Sequence, residues 1–513
     1  MTCPELRNSA SALRSVLVIG FVALVVVLGA CKSPELPRAA SLAGPPTVAP
    51  TVTPEPELPT PTPTPVPTPD PSATLGDDAP LAPTATPIPV PGLTQTSMRL
   101  GVIADLDSSG VADDLSLGAW QGAQAWAAEV NSKGGIAGRT VELLLSDSRV
   151  LFHADAVEWA CSNDIFALVG SKAIQDGDGV ELLVSNACSL PDFPADALMS
   201  ERRDSAVTFM SNPYPQPFYQ AGPLAWMAEE FPDALADSAT FASPLSGLRL
   251  ESERMREAAG SLGYNFGFAP LIGLDDDFVE AVAGLEEAES RSLVWTADPD
   301  ALLDLLRAKT QSSSPPFDFI LCNADCYGTD FLESSGGLAE GVSAWIPHLP
   351  FSEPSQSPEL VSYLFALAGN VPDARPSAQG VAAWSAGRLF EEAVGRAVGA
   401  GTPDYDPAVL TREGVLAAAG TIDIWTANGI YNVFNPPNPS AGVPSPCFVL
   451  MRVENGAWVR QHPIAAGTMD CNPLNRASLF SNAASGAAQS KTVEPDGSES
   501  IATDPPESDE PVG

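Results

Sequence analysis

The chain has 513 residues, 44% apolar and 17% charged, with 51 prolines and 41 glycines. This excludes a wholly disordered or fibrous chain and favours a globular body flanked by extended segments. Asp and Glu (64) outnumber Lys and Arg (25), and the net charge of −39 makes nucleic acid a poor partner, since phosphate backbones are repelled. Such a charge reads first as the solvated, aggregation-resistant surface of an exported protein.

At the N-terminus, Arg7 and Arg14 precede an apolar run over 16–27 that is too short to span a bilayer comfortably. The run ends in Leu28-Gly29-Ala30-Cys31, so residues 1–30 are expected to be a signal peptide. Those last four residues resemble a bacterial lipobox, in which Cys31 is acylated and becomes the first residue of the mature chain. The expected location is the extracytoplasmic face of the cell membrane, with attachment through lipid on Cys31. Residues 31–97 form an expected Pro/Thr-rich disordered linker: 19 prolines fall between Pro34 and Pro91, and no apolar period supports a core.

Short apolar strand-like runs then alternate with helical patterns. Strands are expected at 99–106, 141–145 and 165–169, a further short segment at 190–193, and helices at 115–130, 154–160 and 178–185. A second series runs helix 219–230, strand 238–242, helix 248–262, strand 266–272, helix 278–285, strand 292–296, helix 301–308 and strand 319–322. Helices at 358–368 and 378–398 and a strand pair at 448–453 and 457–461 follow. The alternation predicts doubly wound α/β units, and the length predicts two lobes. Residues 482–513 carry Glu494, Asp496, Glu499, Asp504, Glu507, Asp509 and Glu510 against Lys491 and are expected to be a disordered acidic tail.

One stretch is more specific. Glu129-Val130-Asn131-Ser132-Lys133-Gly134-Gly135-Ile136-Ala137-Gly138-Arg139-Thr140-Val141-Glu142-Leu143 closes the first helix and opens the second strand. It resembles a segment of the branched-chain amino-acid-binding (Leu/Ile/Val-binding) family of ABC-transporter substrate-binding proteins. The glycines fit that reading physically: Gly134 and Gly135 end a helix in a left-handed cap, and Gly138 turns the chain into the strand. The resemblance implies a type 1 periplasmic-binding-protein-like fold, two doubly wound α/β lobes joined by a three-crossing hinge. Lobe one would take 98–212 and 350–430, lobe two 213–349 and 431–481, with crossings near 212–216, 345–351 and 428–446.

Six cysteines remain after Cys3 in the signal and Cys31 at the lipid site, an even number that suits an oxidising compartment. They allow fifteen pairings, and sequence neighbours suggest Cys161 with Cys188, Cys322 with Cys326 and Cys447 with Cys471. Cys322 and Cys326 are not spaced as a CxxC pair, and His153, His348 and His462 show no ligand spacing, so neither metal nor cofactor is expected.

In open α/β sheets a ligand sits beyond the carboxyl ends of the strands. In lobe one those loops carry Ser108, the Ser171-Lys172 pair, and Ala195 and Asp196. The resemblance implies hydroxyls and backbone amides holding an amino-acid carboxylate there. Ser171 matches as a hydroxyl donor, whereas Phe193-Pro194-Ala195-Asp196-Ala197 lacks the family's Ser and Thr. In lobe two the usual aromatic-Gly pair reads Ser246-Gly247, losing a ring over the ligand. Tyr214, Trp295, Asp298, Asp325 and Tyr327 are placed to rebuild a pocket, the carboxylates pairing with an ammonium group; Trp295 reads equally well as strand core. No nucleophile elbow, phosphate loop or metal spacing supports catalysis. The expectation is a solute-binding lipoprotein that captures a small polar ligand for an ABC permease, or alternatively a surface sensor or interaction lipoprotein with the same fold.

Overall fold

The computed structural model describes residues 89–479 except 108–113, 214–216, 274–277 and 432–443. The signal segment, Cys31, most of the proline-rich linker and the acidic tail therefore lie outside the described residues, as do Ser108 and Tyr214.

Lobe one is built on four parallel strands in the order β2-β1-β3-β4. Along the chain these are β1 (Ser97–Ala104), α1 (Leu117–Ser132), β2 (Thr140–Asp147), α2 (His153–Ser162), β3 (Ala167–Val169), α3 (Val180–Val184), β4 (Asp192–Phe193) and α4 (Ser200–Arg203). β1 reads Leu-Gly-Val-Ile-Ala without polar alternation because both of its faces are covered. α1 packs on one face with later helices around Trp126, Phe166 and Trp384, while α2 and α3 cover the other through Val157 and Leu183. The disulfide from Cys161 to Cys188 ties α2 to the segment entering β4.

The family-like stretch has a local physical basis. Asn131 accepts the Val141 amide at 2.8 Å and donates to the Val141 carbonyl at 2.9 Å, fixing the end of α1 to β2. Gly135 has φ +79°, and a Cβ there would meet the Arg139 carbonyl oxygen at 1.9 Å, so only glycine fits.

Lobe two continues with β5 (Phe218–Gln220), α5 (Gly222–Glu230), β6 (Ser238–Phe241), α6 (Ser246–Gly260), β7 (Phe266–Phe268), α7 (Phe278–Glu287), β8 (Ser292–Trp295), α8 (Pro299–Lys309), β9 (Phe319–Cys322), α9 (Thr329–Ser335) and β10 (Val342–Ile346). The chain returns to lobe one for α10 (Pro358–Asn370), α11 (Ala378–Ala397) and α12 (Arg412–Ala419). It ends in lobe two with β11 (Val449–Glu454), β12 (Ala457–His462) and β13 (Arg476–Ser478). Seven strands make the main sheet, β12-β11-β10-β9-β8-β6-β7, in which β11 and β12 are antiparallel additions to a parallel set. α7 and α8 bury one face and α5 and α6 the other. The remaining disulfides form as the sequence neighbours suggested, Cys322 to Cys326 and Cys447 to Cys471.

Three helices of lobe one meet at Arg388 of α11, whose guanidinium contacts Glu129 at 3.1 Å, Glu359 at 2.6 Å and Glu391 at 2.7 Å. Trp384 and Trp126 donate their indole N–H groups to Glu359 and Glu391, both at 2.7 Å. Every member of this largely buried network thus has a charged or hydrogen-bonded partner.

Two expectations are corrected. The folded body begins before residue 98: Val90 and Leu93 pack on the lobe-one core, and the Gly92 carbonyl accepts the Arg99 amide at 2.8 Å. The helix expected over 219–230 starts only at Gly222, because Tyr219 and Gln220 pair with Ala477 and Arg476 as strand. Of the expected crossings, that at 345–351 starts inside β10, and the other two run partly through undescribed residues.

Candidate ligand-binding site between the lobes

A cavity of about 180 Å³ lies between the lobes. Its walls come from the carboxyl ends of β3, β4 and β9, as the strand-end rule requires, and also from α6, α11 and β5.

Lys172 follows β3 and is held by its amide, which donates to the Ile103 carbonyl at 2.9 Å. Its side chain is buried. Nζ lies 3.2 and 3.3 Å from the Asp325 carboxylate oxygens and 3.4 Å from Asp196 Oδ2. Burial alone would lower the ammonium pKa, but Asp325 and Asp196 outweigh it and hold the group above the ordinary amine range. Asp325 is positioned by a short turn. The Cys322–Cys326 disulfide closes that turn, and Asn323 Oδ1 accepts the Asp325 amide at 3.2 Å. Gln379 of α11 donates to Asp325 Oδ1 at 3.3 Å and to the Leu115 carbonyl at 3.1 Å. Asp325 of lobe two is therefore gripped by two residues of lobe one.

A second contact band joins the lobes at the start of α6. Gln175 Oε1 accepts the Gly247 amide at 3.2 Å, and Leu248 packs with Val150, Ile174 and Leu198. A Cβ on Gly247 would meet the Ile174 carbonyl oxygen at 2.0 Å. Farther along α6, Glu251 and Arg254 face the cavity. Burial raises the Glu251 carboxyl despite neighbouring Arg254, Asp196 raises it further, and hydrogen bonding from Tyr219 opposes the rise. Arg254 donates to the Phe218 carbonyl at 2.6 Å.

Of the residues expected from the sequence, Lys172, Ala195, Asp196 and Asp325 come together around this cavity. Ser171 does not line it: the side chain is fully buried and Oγ accepts the Ile103 amide at 3.0 Å, while its carbonyl holds the Ala195 amide. Its hydroxyl organises the strand ends instead. Asp298 is also outside the lining. It caps α8, accepting the Ala301 amide at 3.1 Å, and burial followed by nearby Asp300 pushes its pKa to about 6. Ser246 opens α6 beside the inter-lobe contact, away from the cavity wall. Trp295 is core, with its indole N–H on the Asp298 carbonyl, and Tyr327 packs in tilted contact with Phe351 and Trp458.

Tyr219, Glu251, Arg254, Trp345, Gln379 and Tyr431 line the cavity without having been anticipated. Glu251 and Arg254 had one visible signal, an acid and a base three apart on a helix, but that spacing is ordinary on solvated surfaces. Among the described residues no cluster of His, Cys, Asp and Glu is arranged to hold a metal, and no helix is long and apolar enough to cross a membrane.

No protein-family model matches the chain, and no curated protein matches it in sequence. Its fold matches many solved structures. A fatty acid ABC transporter substrate-binding protein from Thermomonospora curvata aligns with TM-score 0.59 and 18% identity, covering 74% of this chain and 97% of the other. A possible leucine/isoleucine/valine-binding protein from Rhodopirellula baltica aligns at 0.57 and 16%, covering 73% and 98%. An ABC-transporter solute-binding protein from Rhodopseudomonas palustris, solved with benzoate, aligns at 0.54 and 15%, covering 71% and 95%. The chain has the two-lobed α/β fold of the type 1 periplasmic binding proteins.

Proposed function

We propose that the protein is an extracytoplasmic solute-binding protein, anchored through lipid on Cys31, that captures a small organic solute between its lobes and delivers it to an ABC permease. The observation that carries this reading is the cavity itself, walled by both lobes and bridged by the Lys172–Asp325 ion pair. A solute touching both walls favours the closed arrangement by its differential affinity for it, which couples binding to hinge motion. The solved structures of this fold named for fatty acid, leucine/isoleucine/valine and benzoate support a solute-binding role while pointing to no single ligand.

The sensor reading draws on the same features, since Gln175 on Gly247 and Lys172 on Asp325 join the lobes through the chain's own side chains. Thermal melts of the protein against amino acids, amides, short peptides and amines test the binding role. Stabilisation follows RT ln(1 + [L]/Kd), about 2.7 kcal/mol at a hundredfold excess over Kd, so a true solute raises the melting temperature by a few degrees. A panel that leaves the melt unmoved throughout contradicts solute binding. Copurification of a membrane permease separates transport from sensing.

A further inference from the structure

The charges around the cavity are unequally committed, and this narrows the class of solute. The inference rests on the cavity being a solute site.

Lys172 has three donor protons, and three carboxylate oxygens from Asp325 and Asp196 lie within 3.2 to 3.4 Å of its nitrogen. An incoming carboxylate must break those pairs and then face the two aspartates it displaced. Arg254, the other cation of the wall, is engaged by the Phe218 carbonyl and lies in the field of Glu251. Among the described residues of the lining, Lys172 and Arg254 stand against Asp196, Glu251 and Asp325, so the acids exceed the bases by one. Arg203 is also buried near Glu251, and half-exposed Asp204 lies 4.0 Å from it, so this pair adds one charge of each sign. Buried charge without a counter-charge is costly, and a single positive charge on the solute removes the imbalance. Among its described residues the same wall includes four aromatic side chains, Phe218, Tyr219, Trp345 and Tyr431, a residue type that attracts cations. Roughly a dozen water-sized centres fit the space, room for about a dozen non-hydrogen atoms.

We infer that the cleft binds a small monocationic amine carried on an apolar or aromatic body, in preference to a carboxylate or an amino-acid zwitterion. Asp196 and Glu251 share this preference: the one Lys172 charge is divided between Asp325 and Asp196, Arg254 offsets Glu251, and the excess negative charge belongs to the set.

Calorimetry on the full chain with four compounds of one phenyl-based body tests it: 2-phenylethylamine, 2-phenylethanol, phenylacetate and phenylalanine. The amine is expected to bind at least tenfold more tightly than the alcohol and more tightly still than the two carboxylates. Glu251→Gln should bring the ratio of amine to alcohol affinity from at least tenfold down to near one. Asp196→Asn, which also deletes one negative charge from the wall, should weaken the amine in the same sense and stands in if the first variant does not fold. Tightest binding by phenylacetate or phenylalanine overturns the inference, as does equal binding of amine and alcohol, or an amine advantage that survives both variants. In each of those cases the cleft still binds a solute and only its class is wrong. Failure of all four compounds also overturns the inference, and the solute-binding role itself falls only if the wider thermal panel fails too.

Discussion

Lys172 Nζ, at the end of β3, lies 3.2 Å from Asp325 Oδ2, at the end of β9, so one buried ion pair spans the two lobes. Removing the lysine strands two carboxylates without a cation, and breaking such a pair typically costs about 3 to 5 kcal/mol. Lys172→Met should therefore destabilise the protein strongly in denaturant unfolding. Adding Asp325→Leu should restore part of the loss, and simple additivity of the two would show that the pair is not coupled.

Gly247 tests whether the α6 contact limits closure. Alanine is the better helix former by roughly 1 kcal/mol, so Gly247→Ala should not weaken lobe two itself. Its Cβ would collide with the Ile174 carbonyl oxygen, which holds the lobes apart. Solute affinity should fall about tenfold, equivalent to roughly 1.4 kcal/mol, and the unliganded melt should fall as well, because lobes held apart also strain the Lys172–Asp325 pair. Unaltered affinity would remove this contact from the closed state.

The disulfide beneath Asp325 should matter to both stability and binding. Replacing Cys322 and Cys326 by Ser removes the closure of a very short loop, worth about 2 kcal/mol on the chain-entropy scale. It also frees the turn that aims Asp325 at Lys172 and Gln379. Melting temperature and solute affinity should fall together; an affinity equal to wild type would mean that the turn holds Asp325 unaided.

His348 gives a pH signature. Burial pushes its pKa down from 6.5 to about 4, against the hydrogen bond to the Leu349 carbonyl at 2.8 Å. The unfolded chain therefore binds the extra proton between pH 6.5 and 4. The contribution of neutral His348 is complete above pH 6.5 and is lost as pH falls towards 4, by about 3 kcal/mol at most. His348→Phe keeps a ring beside Phe351 and Tyr327 and should flatten the stability profile across that window. An unchanged slope would show that His348 does not contribute.

Much of the architecture was legible because parallel strands covered on both faces read as continuous apolar runs; β9 over Phe319–Cys322 is the clearest instance. β5 was not legible. Tyr219 and Gln220 continue a helical pattern locally, and only pairing with β13, more than two hundred residues away, makes them strand. Lys172 and Asp325 reach the cavity because strand-end loops place them there. Ser171 lies off the cavity wall: a serine at a strand end serves a ligand or a neighbouring amide equally well, and Ile103 takes it here. Glu251 and Arg254 were hidden because docking of α6 against the other lobe, not helical periodicity, turns them towards a cavity.

In the proposed function both lobes hold one solute. Amide hydrogen exchange of the full chain, followed by mass spectrometry with and without the most stabilising solute, addresses it directly. Protection should rise together around 172–176 and 194–198 in lobe one and around 245–254 and 323–327 in lobe two. Protection confined to one lobe, or none at these segments despite binding, would contradict a solute clamped between them.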